Sequence, residues 1–199
     1  MELRPIPARG WADWYTQELC ASFPACECKP LEAIRALAAE GCYELLGLYD
    51  GAALLGYATL WSTPEWPDYV LLDYLGVTAA RRNGGLGSVI LEKLREAERG
   101  NVIFGESEIP CYAPDPAMAE RRLGFYARNG ARTAGYDTEM FGVPYKTLYW
   151  ADGKVDESAL MEEHRFVYAS TFAPDKFRRY VRIPFDPNGT PGERVSWQQ

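Results

Sequence analysis

One stretch constrains the fold more than any other. It runs from Leu71 to Leu94 and reads LLDYLGVTAARRNGGLGSVILEKL. The apolar run Tyr69 to Val77 predicts a buried strand. A short basic loop follows, Arg81-Arg82-Asn83-Gly84-Gly85. Leu86, Ile90, Leu94 and Ala97 then recur at the spacing of one helix face, and Gly100 stands where a C′ glycine would end that helix. A strand that feeds a glycine loop and then a helix start is a ready anion site. The first N–H groups of the helix have no internal partner, and the macrodipole adds partial positive charge there. Glycines let a phosphate approach the backbone with no Cβ in the way.

The loop is not a P-loop, because no Lys-Ser or Lys-Thr follows its glycines. Gly85-Leu86-Gly87-Ser88-Val89-Ile90 also matches only the first two glycines of the dinucleotide pattern G-x-G-x-x-G. Taken alone, it is an ordinary strand-to-helix turn. The wider pattern is more specific: Arg82, Gly85 and Gly87 give R-x-x-G-x-G behind the strand end Leu75-Gly76-Val77. This resembles the acyl-CoA loop of the GNAT superfamily of acyl-CoA-dependent N-acyltransferases. Ala79 stands where a proline is usual and Asn83 where a glycine is usual; neither removes an N–H donor. The resemblance implies that backbone groups of Leu75, Gly76 and Val77 pair with the pantetheine amides. It implies further that N–H groups of Asn83, Gly84, Gly85, Leu86, Gly87 and Ser88 hold the pyrophosphate. Arg82 holds the motif position for added charge, with Arg81 beside it.

A helix is expected from Ala117 to Asn129, closed by Gly130, with Ala119, Leu123, Tyr126 and Ala127 on one face. Its segment RLGFYARNGAR resembles the second signature of the superfamily, an aromatic-tyrosine pair ahead of an Asn-Gly turn. Ala131 departs from it, since an aromatic commonly follows the glycine. The resemblance implies that Tyr126 is the general acid that protonates the departing CoA thiolate, a role suited to a hydroxyl with a pKa near 10. Without it, Tyr126 reads as a core aromatic.

Before that helix, Val102 to Ile109 reads as a strand, with Val102, Phe104, Glu106 and Glu108 alternating onto one face. Two carboxylates there leave two readings open: a solvated strand end, or a general base for an ammonium nucleophile. By resemblance Glu106 occupies the matching position, Glu108 is the fallback and Asp73 a third candidate.

The remaining segments frame this centre. Glu2 to Ile6 is a short strand. Trp11, Trp14, Tyr15 and Leu19 mark a helix from Ala8 to Leu19. Pro30 and Gly41 bracket a second helix, at its first position and at C′. By resemblance these two helices and the loop between them line the acceptor side. Tyr43 to Tyr49 and Ala53 to Ser62 form a hairpin about Asp50-Gly51. Arg132 to Met140 and Val143 to Trp150 close the sheet as a last hairpin. The resemblance covers Tyr43 to Trp150, and the chain divides into a GNAT-like domain, 1–153, and a C-terminal extension, 154–199. In the extension, Leu160, His164, Val167, Tyr168 and Thr171 mark a helix, with His164 read as packing or capping. Lys176, Arg178, Arg179 and Arg182 read as a solvated basic face, like Glu120-Arg121-Arg122. Tyr180 to Phe185 reads as an edge strand and Asp186 to Gln199 as a polar tail. The extension is free to cover the sheet edge or to mediate a homodimer.

Composition excludes several classes. A net charge of −7 over 199 residues argues against nucleic-acid or anionic-membrane partners. No apolar run approaches the ~20 residues of a membrane span, and the N-terminus lacks a signal-peptide core. The chain reads as cytoplasmic. The five cysteines are Cys20, Cys26, Cys28, Cys42 and Cys111; an odd count argues against a disulfide framework, their spacing fits no common zinc module, and no metal is expected. The lone histidine weakens a Ser-His-Asp or Cys-His hydrolase. The fold expected is α/β: a GNAT-like central mixed, mostly antiparallel sheet flanked by helices, with a C-terminal helical extension. The function expected is acetyl transfer from acetyl-CoA to a small-molecule or peptide primary amine, direct and within a ternary complex. The competing function is a CoA-binding sensor or assembly subunit without turnover.

Overall fold

The computed structural model describes residues 1–25, 27–186 and 188–197. Eight strands form one sheet, in the order β1-β2-β3-β4-β5-β7-β6-β8. The strands are β1 (Glu2–Pro5), β2 (Tyr43–Asp50), β3 (Ala53–Trp61), β4 (Tyr69–Val77), β5 (Val102–Glu108), β6 (Arg132–Met140), β7 (Val143–Trp150) and β8 (Val181–Phe185). Every neighbouring pair is antiparallel except β4 and β5. That parallel pair needs a crossover, and the helix α3 (Leu86–Ala97) supplies it.

Alternation along the strands sorts side chains onto two faces. Leu71 and Phe104 enter one core with Trp14, Leu19, Ile34, Leu160, Val167 and Tyr168. That face is covered by α1 (residues 8–22), α2 (Leu31–Ala39), α5 (Glu157–Thr171) and α6 (Pro174–Tyr180). Val70, Leu72 and Ile103 enter the other core with Ile90, Leu91 and Leu94 of α3, and Phe125 and Tyr126 pack against it from α4 (Pro116–Arg128). Burying each such aliphatic side chain contributes roughly 1.5–3 kcal/mol, so both helical layers are needed to hold one sheet.

Several local expectations shift. The first helix runs on to residue 22 and contains a π-helical turn, Tyr15–Leu19, which brings both Trp14 and Leu19 inward. Pro30 is the cap of α2 rather than its first helical residue. Helix α3 ends at Ala97 with Glu98 as its cap, so Gly100 is not the C′ residue; its φ of +95° serves the turn beyond. The final hairpin does not end the sheet; the edge strand expected over Tyr180 to Phe185 does, as β8 outside β6. The polar tail is the largest departure: Val195 N–H donates to the Phe141 carbonyl, 3.1 Å, and Trp197 packs on Phe141 and Phe172. An indole in a polar segment has an apolar surface to bury, and the core beside β8 offers one. No helix among the described residues is long and apolar enough to cross a membrane.

Candidate active site

Strands β4 and β5 pair only from Tyr69↔Val102 to Leu72↔Gly105. Beyond that point they part. Tyr74 to Val77 stay with β3, and Glu106 to Glu108 stay with β7. The gap between them is a cavity of about 270 Å³. Leu75, Gly76 and Val77 line one side of it, and on the edge facing β5 their peptide groups have no strand partner.

At its mouth lies the glycine loop. A 3₁₀ turn, Ala79–Arg81, leads into Asn83 at φ +65° and Gly85 at φ +74°. Asparagine is among the side-chain residues that tolerate that conformation, which is why Asn83 can replace a glycine there. Gly85 is the N-cap of α3. The N–H groups of Leu86 and Gly87 therefore point out of the helix start without intrahelical partners. The Ser88 N–H is instead bonded to the Gly85 carbonyl, 3.1 Å. Arg82 folds back over the gap, donating to Ser22 Oγ at 3.0 Å, and it lines both this cavity and a second one shared with Gly84 and Leu86.

Both expected catalytic side chains reach the main cavity. Tyr126 packs edge-on against Trp150, with ring centroids 5.7 Å apart. Burial pushes its hydroxyl above the ordinary 10, against the opposing pull of Arg122. Glu106 is held by three donors: His164 Nε2 (2.9 Å) and Thr138 Oγ1 (3.0 Å) on one oxygen, Tyr168 hydroxyl (2.8 Å) on the other. Burial by itself would raise this carboxyl, but those hydrogen bonds and the field of His164 outweigh it and hold the group below 4.5. The solvated-strand-end reading of Glu106 does not survive.

The fallback carboxylates differ in kind. Asp73 accepts from Lys29 Nζ at 2.8 Å and from the Tyr43 hydroxyl at 2.5 Å, so it is a structural ion pair that borders the cavity. Glu108 keeps a buried oxygen with no hydrogen-bond donor; Arg122 lies 3.5 Å from its other oxygen. Arg122, its side chain still 40% exposed, thus reaches from the solvated face toward the cavity.

Searches against known proteins bear on this geometry. No family model matches the chain. A provisionally named acetyltransferase, YjbC of Bacillus subtilis, is 25% identical over 122 residues, 57% of this chain; the match spans 62% of that relative's length. A provisionally named GNAT-family acetyltransferase from Bacteroides thetaiotaomicron superposes with a TM-score of 0.67 at 22% identity, over 83% of this chain and 96% of that one. The chain has the GNAT fold. Spermidine N-acetyltransferase from Vibrio cholerae, solved with CoA and spermine, superposes with a TM-score of 0.57 at 9% identity, over 75% of this chain and 94% of its own.

On this GNAT scaffold, several residues in or behind the cavity wall were not anticipated from sequence. Glu27, in the loop between α1 and α2, faces the cavity. Burial raises its carboxyl, the nearby Glu108 charge adds to that, and Arg122 and Arg194 oppose it. His164 and Tyr168, one turn apart on α5, both bind Glu106, and His164 Nδ1 meets the Tyr136 hydroxyl at 3.2 Å. The i, i+4 pairing of a lone histidine with a tyrosine on an apolar face was the available signal. Lys29 is buried, its ammonium 3.7 Å from the centroid of the Trp61 ring. Trp197 and Tyr145 complete the wall. Among the cysteines, Cys20 and Cys111 are exposed and Cys28 is buried, while Cys26 lies outside the described residues. No cluster of metal-ligating side chains occurs among the described residues.

Proposed function

We propose that this protein is a CoA-dependent N-acetyltransferase that passes the acetyl group of acetyl-CoA directly to a primary amine. The observation that carries this reading is that Tyr126, Glu106 and Glu108 all line one cavity, at the split between β4 and β5. The cosubstrate fits the residues present. The unpartnered edge of Leu75 to Val77 suits an amide-bearing arm, and the outward N–H groups of Leu86 and Gly87, with Asn83, Gly84 and Gly85 before them, suit a pyrophosphate. Arg82 adds charge at the mouth.

Acetyl-CoA supplies an activated acyl group; the chain supplies position and proton handling. An amine arrives as an ammonium and must lose a proton before it attacks. Glu106, fully ionised at neutral pH, orients the ammonium or an intervening water. It is a weak base, because three donors already stabilise its charge. Glu108, with an oxygen that no hydrogen-bond donor meets, is the alternative acceptor for that proton. Tyr126, its hydroxyl kept protonated by burial, is the acid for the departing thiolate. Placement of thioester and amine side by side supplies much of the rate gain. The V. cholerae neighbour solved with spermine supports a small-molecule amine as acceptor.

Calorimetry with acetyl-CoA tests the reading, on the parent protein and on Gly85→Val/Gly87→Leu. A Cβ at Gly87 would meet Phe125 at 3.0 Å, so circular dichroism must show that the variant still folds. Binding by the parent alone, followed by thiol release with a panel of primary amines, supports the enzyme. Binding without any turnover identifies a sensor instead, and no binding removes both readings.

A further inference from the structure

We infer that residues 188–197 form a wall on the acceptor side of the cavity, with Trp197 limiting the width of the amine admitted. The inference rests on the acetyltransferase reading above. A polar segment beyond the last strand has little reason to lie against the body of a protein. This one is tied down along its length. Arg182 Nη1 donates to the Thr190 carbonyl at 3.1 Å. The Gly192 N–H reaches the buried Glu139 carboxylate at 3.3 Å. Arg194 Nη2 donates to the Tyr112 carbonyl at 2.9 Å. Val195 N–H donates to the Phe141 carbonyl at 3.1 Å, and Lys176 Nζ donates to the Trp197 carbonyl at 2.6 Å. Lys176, expected on a solvated face, is spent on this anchor.

These ties place Trp197 at the cavity and Arg194 beside one of its carboxylates. The Trp197 indole stands 5.0 Å from the ring centroids of Phe141 and Phe172 and 6.3 Å from that of Tyr168, and it lines the cavity beside Tyr168 and Met140. Its ring also lies 5.1 Å from the buried Lys29 ammonium. Neighbouring rings and a cation thus back it. Arg194 comes within 3.8 Å of Glu108 Oε1, the oxygen that lacks a hydrogen-bond donor. One segment therefore delivers a flat apolar plate to the cavity wall and a positive charge to Glu108, which borders it. A side chain that only covered the Phe141–Phe172 surface would not also border the cavity.

The test uses Trp197→Ala and Trp197→Phe in the full chain, with n-butylamine, phenethylamine and tryptamine as probes and thiol release as readout. Acetyl-CoA affinity by calorimetry is expected to stay within about twofold. The ratio of kcat/KM for phenethylamine over n-butylamine is expected to rise by about tenfold or more in Trp197→Ala, the range that added methylenes command in a shaped apolar pocket. Trp197→Phe should fall between the two. If acetyl-CoA binds, the amines turn over and the ratio is the same in all three proteins, the wall is overturned alone. A drop in melting temperature with an unchanged ratio does the same, since it marks packing without selection. If the parent does not bind acetyl-CoA, or binds it and turns over no amine, the enzyme reading falls and the wall with it.

Discussion

His164 Nε2 lies 2.9 Å from Glu106 Oε1, although the two residues are 58 positions apart. An ionised carboxylate only accepts, so Nε2 carries a proton and donates it. The contact joins α5 to the strand end that borders the cavity. His164→Ala is expected to cost about 3 kcal/mol at pH 7, because it strips a buried charge of one of its three donors and leaves a hole. Glu106 has a folded value below 4.5, so its paired form stabilises above 4.5 and that contribution is lost as pH falls through the folded value. The gap between parent and variant in urea unfolding should thus be widest at neutral pH and shrink below about pH 4.5. A constant gap would show that the loss is packing alone. His164→Gln, which keeps a donor, should recover part of the loss.

Tyr126→Phe should lower kcat by about 10²- to 10⁴-fold, the usual share of a positioned acid. Its edge-on contact with Trp150 is retained, so stability and acetyl-CoA affinity should change little. Thiol-release kinetics and calorimetry on the same preparation separate the two effects. An unchanged kcat would remove Tyr126 from the chemistry.

Lys29 and Asp73 form a buried pair under three aromatic rings. Burial lowers the Lys29 amine, and the Asp73 charge only partly opposes that. Lys29→Met should cost about 3 kcal/mol, mostly the penalty of leaving Asp73 unpaired. Adding Asp73→Asn should restore much of it. A double-mutant cycle in guanidinium measures the coupling, and simple additivity would argue that the pair is not coupled.

Glu163 is buried on α5, where Thr63 Oγ1 reaches its oxygens at 3.1 and 3.4 Å. Burial raises its carboxyl to about 8, Thr63 opposes this and Glu65 adds to it. A raised folded value means that the native state holds a proton the unfolded chain has released. The stabilisation is complete below about 4.5 and is lost as pH climbs to about 8. Glu163→Gln mimics the protonated form. It should be near neutral at pH 5 and stabilise by on the order of 2 kcal/mol at pH 8.5, read by thermal melts at both pH values. A variant no more stable than the parent at the higher pH would contradict this.

Much of the fold was legible because it is written in short-range pattern. The extent of β4, Tyr69–Val77, follows from an apolar run interrupted only by Asp73, and α3 from the repeat of Leu86, Ile90 and Leu94 on one face. The glycine loop was legible through its spacing, and the positive φ of Gly85 and Asn83 fits what those residue types permit. The alternation of Phe104, Glu106 and Glu108 placed both carboxylates on one face but left their surroundings open. His164 showed only its helical face, because its partner Glu106 lies on another element and no period links the two. Glu27 and Trp197 sat in segments without periodicity.

The sequence by itself determined the elements, their faces, and the strand–loop–helix unit with its outward N–H groups, since backbone conformation and apolar periodicity act over a few residues. Only the tertiary structure decided which charges share the cavity. It parted β4 from β5 after Leu72, set α5 over Glu106, and folded residues 188–197 back so that Trp197 and Arg194 reach the site. The energies behind those choices, the burial of an indole and the satisfaction of buried carboxylates, depend on distances between groups that are remote along the chain.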